Sequence, residues 1–147
     1  MTSLEVIAVE TEQELDDFIA FPWQVYATDP YWVPPIISDR REFLNPEKNA
    51  FFEHARAQYF LARRDGQTTG TIAAFTNDLY NLFQGVNTGF FGFIEVLDEP
   101  PAAGELLQAA EDWVRQAGHE MILMMNRTAE ILSGEIYKTY RMYEKDL

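Results

Sequence analysis

The sequence contains no cysteine and little positive charge. The absence of cysteine excludes a disulfide framework, a thiolate zinc site and a cysteine nucleophile. Only 11 Lys and Arg residues stand against 24 Asp and Glu residues, which gives the 147-residue chain a formal net charge of −13. Such a surface repels nucleic-acid phosphates and anionic lipids and attracts cations and amines. We therefore expect no nucleic-acid partner and no membrane partner, and a small-molecule or peptide amine is the expected ligand class.

Long apolar segments and clustered histidines are also missing. No apolar run approaches the roughly 18 residues that a membrane span needs. Residues 1–6 lack the basic and apolar regions of a signal peptide, so we expect a cytoplasmic protein. The two histidines, His54 and His119, have no carboxylates at a consistent spacing around them, and no metal site is expected.

The composition is that of one folded domain. Hydrophobic residues make up 47% of the chain and aromatic residues 14%, which is far above the range of disordered sequences. A chain of this length buries about two-thirds of the surface that it exposes when unfolded. We therefore predict a single domain over residues 1–147, within which residues 21–55, rich in aromatic residues and proline, form a helical lobe.

Strand and turn signals recur along the chain. The dipeptide Asp65-Gly66 predicts a tight hairpin turn between two of the strands. Residues 88–97 are almost entirely apolar, which indicates a strand buried on both faces. The predicted strands are residues 4–9, 58–63, 68–75, 88–97, 121–124 and 135–144.

Helix signals alternate with these strands. Thr11 and Glu14 form a capping-box pattern that starts the first helix, and Pro22 is expected to interrupt or end it. The helix at 102–116 has an apolar stripe at helical spacing, from Leu106 to Val114. Further helices are predicted at residues 37–44 and 128–132. This order predicts an α/β fold of the α+β type, with a mixed sheet and helices on both faces.

Five segments resemble a group of bacterial proteins in the GCN5-related N-acetyltransferase (GNAT) superfamily. They are distributed over most of the chain and read FPWxxYxxDPxWVPP at 21–35, NAFFEHA at 49–55, YFLARRDG at 59–66, GFFGF at 89–93 and IYKTYR at 136–141. The resemblance implies the acyl-CoA acyltransferase fold, with a mostly antiparallel central sheet. It also implies an N-acetyltransferase that moves the acetyl group of acetyl-CoA to a primary amine.

The resemblance is to a shortened form of these proteins. Members of the group have much more sequence between the Gln116 region and the tail. The chain is similar to their front portion joined directly to their tail. A natural short form, an internal deletion and a redesigned minimal domain all fit this pattern.

The cofactor loop that the resemblance implies is degenerate. GNAT proteins carry the pattern Gln/Arg-x-x-Gly-x-Gly/Ala between the fourth strand and the next helix, where backbone N–H groups bind the CoA diphosphate. Aligning the last position of this pattern on Gly104 puts Glu99 in the place of Gln or Arg and Ala102 in the place of the first glycine. Pro100 and Pro101 fill the variable positions.

These departures oppose the binding of a diphosphate. The two prolines remove two amide donors. Asp98 and Glu99 add carboxylates, and one like-charge pair at about 4 Å costs on the order of 1–4 kcal/mol. The alternative is that residues 98–101 are simply the capped start of a helix. The contacts that the resemblance still assigns to acetyl-CoA, including the pantetheine arm at the splayed strand, are Phe93, Ile94, Val96, Ala102, Ala103 and Gly104.

The resemblance also suggests catalytic residues. Glu95, in the apolar strand at the expected centre of the site, is the candidate general base. The helix that carries the acid tyrosine in many GNAT proteins has no tyrosine here, so Tyr140, or else Tyr137, is the candidate acid from the last strand. The alternatives are a salt-bridged or exposed carboxylate for Glu95 and core packing for the tyrosines.

Two features leave the function open between an enzyme and a binding module. The aromatic residues Trp23, Tyr26, Tyr31 and Trp32 could line an acceptor pocket through cation–π contacts, or they could form a small satellite core. The degenerate loop favours a GNAT-like domain without catalysis, which binds or dimerises through its tail strand at 136–143. The family resemblance favours the N-acetyltransferase.

Overall fold

A computed structural model describes residues 3–124 and 144–146. The predicted helix at 128–132 and all but the end of the predicted strand at 135–144 lie outside these residues. The strands are β1 (Leu4–Ala8), β2 (Ala57–Arg64), β3 (Gln67–Thr76), β4 (Thr88–Val96), β5 (Met121–Met124) and β6 (Glu144–Asp146). The helices are α1 (Glu12–Val25), α2 (Ile37–Leu44), α3 (Asp78–Gln84) and α4 (Pro100–Gln116), with a 3₁₀ turn at Ala50–Glu53.

The described strands form one sheet in the order β1-β2-β3-β4-β5-β6. Neighbouring strands are antiparallel except β4 and β5, which are parallel and are joined through α4. The predicted mixed, mostly antiparallel sheet is confirmed. The hairpin turn between β2 and β3 is confirmed as well, because Asp65 and Gly66 both have positive φ angles, 51° and 80°, as a type I′ turn requires.

Helices cover both faces of the sheet, as the sequence predicts. On one face, α4 buries the side chains of Leu106 and Val114 against Ala62 and Ile72 of the sheet. On the other face, α1 and α2 pack on the neighbouring strand residues, which include Leu61 and Ala73. The alternation of side chains along β2 and β3 therefore builds two separate cores.

Helix α1 begins at the predicted capping box but does not end at Pro22. The Thr11 hydroxyl accepts a hydrogen bond from the Glu14 amide, and the Glu14 carboxylate accepts from the Thr11 amide. The prediction that Pro22 interrupts or ends this helix is wrong, since α1 continues to Val25. The proline removes one backbone donor, but the ladder resumes where the Tyr26 amide donates to the Pro22 carbonyl at 2.9 Å. Burial of Phe21 holds this last turn against the core.

The short helix α3 was not predicted from the sequence. Its seven residues give too little periodicity to be recognised. The end signals are nevertheless present, because the Asn77 side chain accepts a hydrogen bond from the Tyr80 amide and Gly85 has the left-handed conformation, with φ at 64°. Helix α4 also begins earlier than predicted, at Pro100, because proline fits the first turn of a helix.

The packing of α4 on β4 predicts opposite effects for two glycine substitutions. A Cβ atom at Gly89 would overlap the side chain of buried Val114, with the two Cβ atoms 3.1 Å apart. We expect Gly89→Ala to lower the free energy of unfolding by about 1–3 kcal/mol because of this overlap. Gly104 on α4 has open space around its Cβ position, and Gly104→Ala should raise the stability by up to about 1 kcal/mol.

Urea unfolding of the two variants and the parent chain measures this difference. Gly104→Ala is the matched control, because it adds the same methyl group to the same helix–sheet unit. Equal stability of Gly89→Ala and the parent would contradict the close packing of α4 on β4.

Candidate functional site

A β-bulge in β4 determines the geometry of the candidate site. Ala73 of β3 pairs with Gly92 of β4, whereas Thr71 pairs with Glu95, so β4 has one more residue than β3 between these pairs. Phe93 within the bulge has a φ angle of 52°, a conformation that residues other than glycine rarely adopt. The buried Thr71 hydroxyl donates a hydrogen bond to the Phe93 carbonyl at 2.8 Å, which fixes the bulge to β3.

The bulge changes the face of the sheet on which the following residues lie. In a regular strand, Phe91, Phe93 and Glu95 would all point to the same face. Phe91 packs in the α4 core, but Phe93 packs in the core beneath α1 and α2. Glu95 lies on the α1 face with Phe93, since its Oε2 atom accepts a hydrogen bond of 2.7 Å from the hydroxyl of Tyr26, the residue that follows α1.

Three of the four predicted aromatic residues lie together beside Glu95. The Tyr26 ring stacks on the Trp32 ring with centroids 5.3 Å apart, and the Trp23 ring meets Trp32 edge-on at 5.3 Å. Tyr31 is not part of this cluster, since it is 91% exposed. A carboxylate beside aromatic rings is the arrangement that attracts an ammonium group. The site therefore has the chemistry to receive a primary amine.

One positive charge also lies in this region. The Arg40 guanidinium lies over the Phe93 ring, 5.1 Å from its centroid, and over the Phe43 ring at 5.9 Å. These contacts hold the side chain along the aromatic surface between α2 and the bulge. The region thus combines a carboxylate, a guanidinium and several aromatic faces.

The edge of β4 beyond Phe91 is the part of the site that suits the predicted pantetheine arm. Strand β5 pairs with β4 from Thr88 to Phe91, and among the residues described no strand pairs with 92–96 on that side. Backbone N–H and C=O groups of an unpaired edge can bond an extended amide chain. The side chains of Phe93, Ile94 and Val96 are half-buried against the two cores, and the backbone of these residues is the part that can bond an extended cofactor arm.

The start of α4 does not fit a diphosphate. Pro100 and Pro101 have no N–H group, and the next amide, Ala102, donates to the Glu99 carbonyl at 3.0 Å. The Ala102 side chain is fully buried in the α4 core, so it does not form an open cradle. Gly104 has open space beside it, and Ala103 is half-buried. Helix starts that bind phosphate present several free backbone amides, whereas here the first two helical residues have no N–H group and the Ala102 amide is already bonded.

An ion pair that the sequence did not predict also lies at the start of α4. The guanidinium of Arg64, at the end of β2, donates to the carboxylate of Glu99, which is only 16% exposed. The sequence suggested that Glu99 is an uncompensated negative charge. In the structure the guanidinium of Arg64 balances this charge. The two residues are 35 positions apart, and the pairing of β2 with β3 and of β3 with β4 brings them together.

The remaining predicted residues lie elsewhere. Tyr140 and Tyr137 lie outside the described residues. His54 borders a groove of about 430 Å³ between the 3₁₀ turn and α3, at the opposite end of β4 from Glu95. Burial lowers the pKa of His119, and the Arg56 charge lowers it further, while Asp78 acts in the opposite direction. Within the described ranges, no three His, Cys, Asp or Glu side chains are placed to hold a metal, and no helix could cross a membrane.

Sequence comparison finds two relatives, each of which matches only in part. The chain is 42% identical over 116 residues to "Bacterial ceramide synthase" of Caulobacter vibrioides, and the match covers 78% of the chain and 30% of that protein. It is 37% identical over 111 residues to "Protein YghO" of Escherichia coli, and this match covers 76% of the chain and 28% of that protein. The chain thus spans less than a third of the length of either relative. No family model matches it.

Solved structures of the GNAT family match the fold of the chain. A GNAT-family acetyltransferase from Staphylococcus aureus superposes with a TM-score of 0.65, over 98% of this chain and 99% of that one, at 13% identity. A GNAT-family acetyltransferase from Brucella melitensis, solved in complex with acetyl-CoA, superposes with a TM-score of 0.58. The match covers 98% of this chain and 88% of that one, also at 13% identity. At these identities the matches establish the fold alone.

The Arg64–Glu99 ion pair predicts how the start of α4 affects nucleotide binding. We expect Glu99→Gln to raise the affinity for coenzyme A at least about fivefold. The substitution removes one negative charge beside the expected diphosphate position and leaves Arg64 without its Glu99 partner, and a charge at about 4 Å contributes about 1 kcal/mol even in a water-like dielectric. Isothermal titration calorimetry with coenzyme A measures the change.

Glu120→Gln is the matched control for this experiment. Glu120 is exposed beyond the other end of α4, so its substitution makes the same change in net charge far from the helix start. Equal affinities in Glu99→Gln and the parent chain would show that the ion pair does not limit nucleotide binding.

Proposed function

We propose that the Glu95 site of this chain transfers an acyl group from a thioester to a primary amine. The premise is that the chain has the GNAT fold and is homologous over about three-quarters of its length to part of a bacterial ceramide synthase. The hydrogen bond between Tyr26 and Glu95 is the observation that carries the proposal. It holds a carboxylate beside aromatic faces and next to the sheet edge at which we place the thioester.

The side chains of the site match the needs of N-acyl transfer. A primary amine arrives as an ammonium ion and must lose a proton before its nitrogen can attack a carbonyl carbon. The Glu95 carboxylate can accept that proton, while the Tyr26 hydroxyl keeps the carboxylate in position. The C–N bond then forms, the C–S bond breaks, and the departing thiolate takes up a proton.

We infer the kind of acyl group from the name of the relative, and the kind of acceptor from that name together with the side chains of the site. A ceramide is a fatty-acid amide of a long-chain amine, so the relative's name indicates an N-acyl product with two long chains. We extend this product class to the present chain, with a long-chain acyl thioester as the donor and an amphiphilic primary amine as the acceptor. Transfer of acetyl from acetyl-CoA, which the sequence resemblance implies, is the smallest case of the same reaction.

A second candidate function is a binding module without catalysis. The start of α4 favours it, because two prolines and the Arg64–Glu99 ion pair occupy the place where a diphosphate would bind. Under this hypothesis the chain keeps the shape of an acyltransferase and binds a ligand or another copy of itself without turnover. The two candidates differ in one measurable property, which is acyl transfer that depends on Glu95.

Substitution of Glu95 tests the acyltransferase directly. We expect Glu95→Gln to lower kcat for acyl transfer by about 100-fold or more, as loss of a general base does. Tyr26→Phe keeps the ring that stacks on Trp32 and loses only the hydroxyl, so a loss of about tenfold is expected. The assay measures thiol release from acetyl-CoA and from a long-chain acyl-CoA, with primary alkylamines of increasing length as acceptors.

The exposed carboxylate Glu5 on β1 supplies the control, since Glu5→Gln makes the same chemical change on another strand of the sheet. This variant should retain full activity. If the parent chain binds coenzyme A or the amines but releases no thiol with any donor and acceptor, the binding module is the correct function.

A further inference from the structure

The loop between α1 and α2, together with the first residue of α2, exposes a group of large apolar side chains. Tyr31 is 91% exposed, Val33 80%, Ile36 66% and Ile37 49%. Single exposed apolar residues are ordinary on protein surfaces, but several in one short segment mark an interaction site. We call residues 30–37 the apolar loop.

The apolar loop is also free of charge. No charged residue occurs between Asp29 and Asp39, although the chain as a whole carries a net charge of −13. Three prolines, at positions 30, 34 and 35, restrict the backbone, so the exposed side chains cannot easily turn back towards the core. The loop is therefore a neutral, stiff projection on a strongly negative molecule.

The apolar loop is attached to the Glu95 site. Trp32, in the middle of the loop, is half-buried and stacks on the ring of Tyr26, whose hydroxyl binds Glu95. A molecule that contacts the exposed side of the loop thus lies next to the carboxylate. A long-chain amine could place its alkyl chain along the loop and its ammonium group at Glu95.

We propose that the apolar loop docks on the surface of a lipid bilayer and receives its amphiphilic amine there. This role rests on the acyltransferase proposed above, but docking itself requires no catalysis. Tyrosine and tryptophan favour the boundary between lipid and water, and the exposed aliphatic side chains can enter the acyl region. A second copy of the chain is a poorer occupant, because two molecules with a charge of −13 each repel one another.

The charges determine which lipids the loop prefers. Because the rest of the surface is acidic, a bilayer of zwitterionic phosphatidylcholine should bind the chain better than one rich in anionic phosphatidylglycerol. The net charge of the chain predicts no membrane partner, because it opposes electrostatic attraction to anionic lipids. The apolar loop binds in a different way, by inserting apolar side chains.

Vesicle flotation with the full chain tests the proposal. We expect the parent chain to float with phosphatidylcholine vesicles, and the variant Tyr31→Ser, Val33→Ser, Ile36→Ser to partition at least about tenfold more weakly. Trp32 is left unchanged because it packs on Tyr26. The matched control is Leu82→Ser, Phe83→Ser on α3, where the parent side chains are 77% and 83% exposed. Helix α3 precedes β4, and the Thr88 end of β4 lies roughly 23 Å from Glu95 at about 3.3 Å per strand residue, so the control should float like the parent.

Three results would overturn the docking role. These are no flotation of the parent chain, equal flotation of the loop variant, or an equal loss in the α3 control. A loop variant that abolishes self-association in light scattering while vesicle binding is unchanged would identify a second copy as the occupant instead. Acyl transfer separates the two proposals: the loop variant should raise KM for a long-chain amine in vesicles but not for a short soluble amine, and flotation is measured whether or not transfer occurs.

Discussion

The β-bulge at Phe93 is the constraint on which the candidate site depends. A non-glycine residue in a left-handed conformation costs of order 1–3 kcal/mol, and the structure offsets this cost by packing Phe93 with Phe18 and Phe43, at centroid distances of 6.3 and 6.1 Å. The Thr71 hydroxyl adds a hydrogen bond to the Phe93 carbonyl. Without the bulge, Glu95 would face the α4 core, where a carboxylate would have to lose its hydration. With it, Glu95 meets Tyr26.

Strand β4 leads from the centre of the sheet to the start of α4, where stability of the helix and binding of a diphosphate need different features. Before the bulge, β4 is paired on both sides and forms the centre of the sheet. After it, the strand leads to an edge and then to α4. The start of α4 is well suited to folding, with prolines in the first turn and a half-buried ion pair between Arg64 and Glu99. These features stabilise the helix at the expense of the amides and positive charge that a diphosphate needs.

Local signals made much of the fold predictable. The first five predicted strands, the hairpin turn, the capping box of α1 and the bounds of α2 depend on residues close together in sequence, and all of these are confirmed. Local rules failed at Pro22, because burial of Phe21 and the resumed backbone ladder keep α1 helical. They also failed for α3, whose seven residues have end signals but no periodicity.

The site was predictable only in its composition. Glu95 and the aromatic residues could be selected from the sequence, but the face on which Glu95 lies depends on the bulge, and the bulge depends on Thr71 of another strand. The partner of Glu99 was unpredictable for the same reason, since Arg64 reaches it across the sheet. Alternation within one strand cannot reveal such contacts. A crystal structure of the chain with a stable analogue of an acyl-pantetheine thioester, which lacks the diphosphate that the start of α4 does not fit, would test the site most directly. We expect the pantetheine arm to lie along residues 92–96. The analogue's carbonyl group should lie close enough to the Glu95 carboxylate for a single water molecule to bridge them. An analogue bound away from β4, or one whose carbonyl lies on the α4 side of the sheet, would contradict the assignment of Glu95.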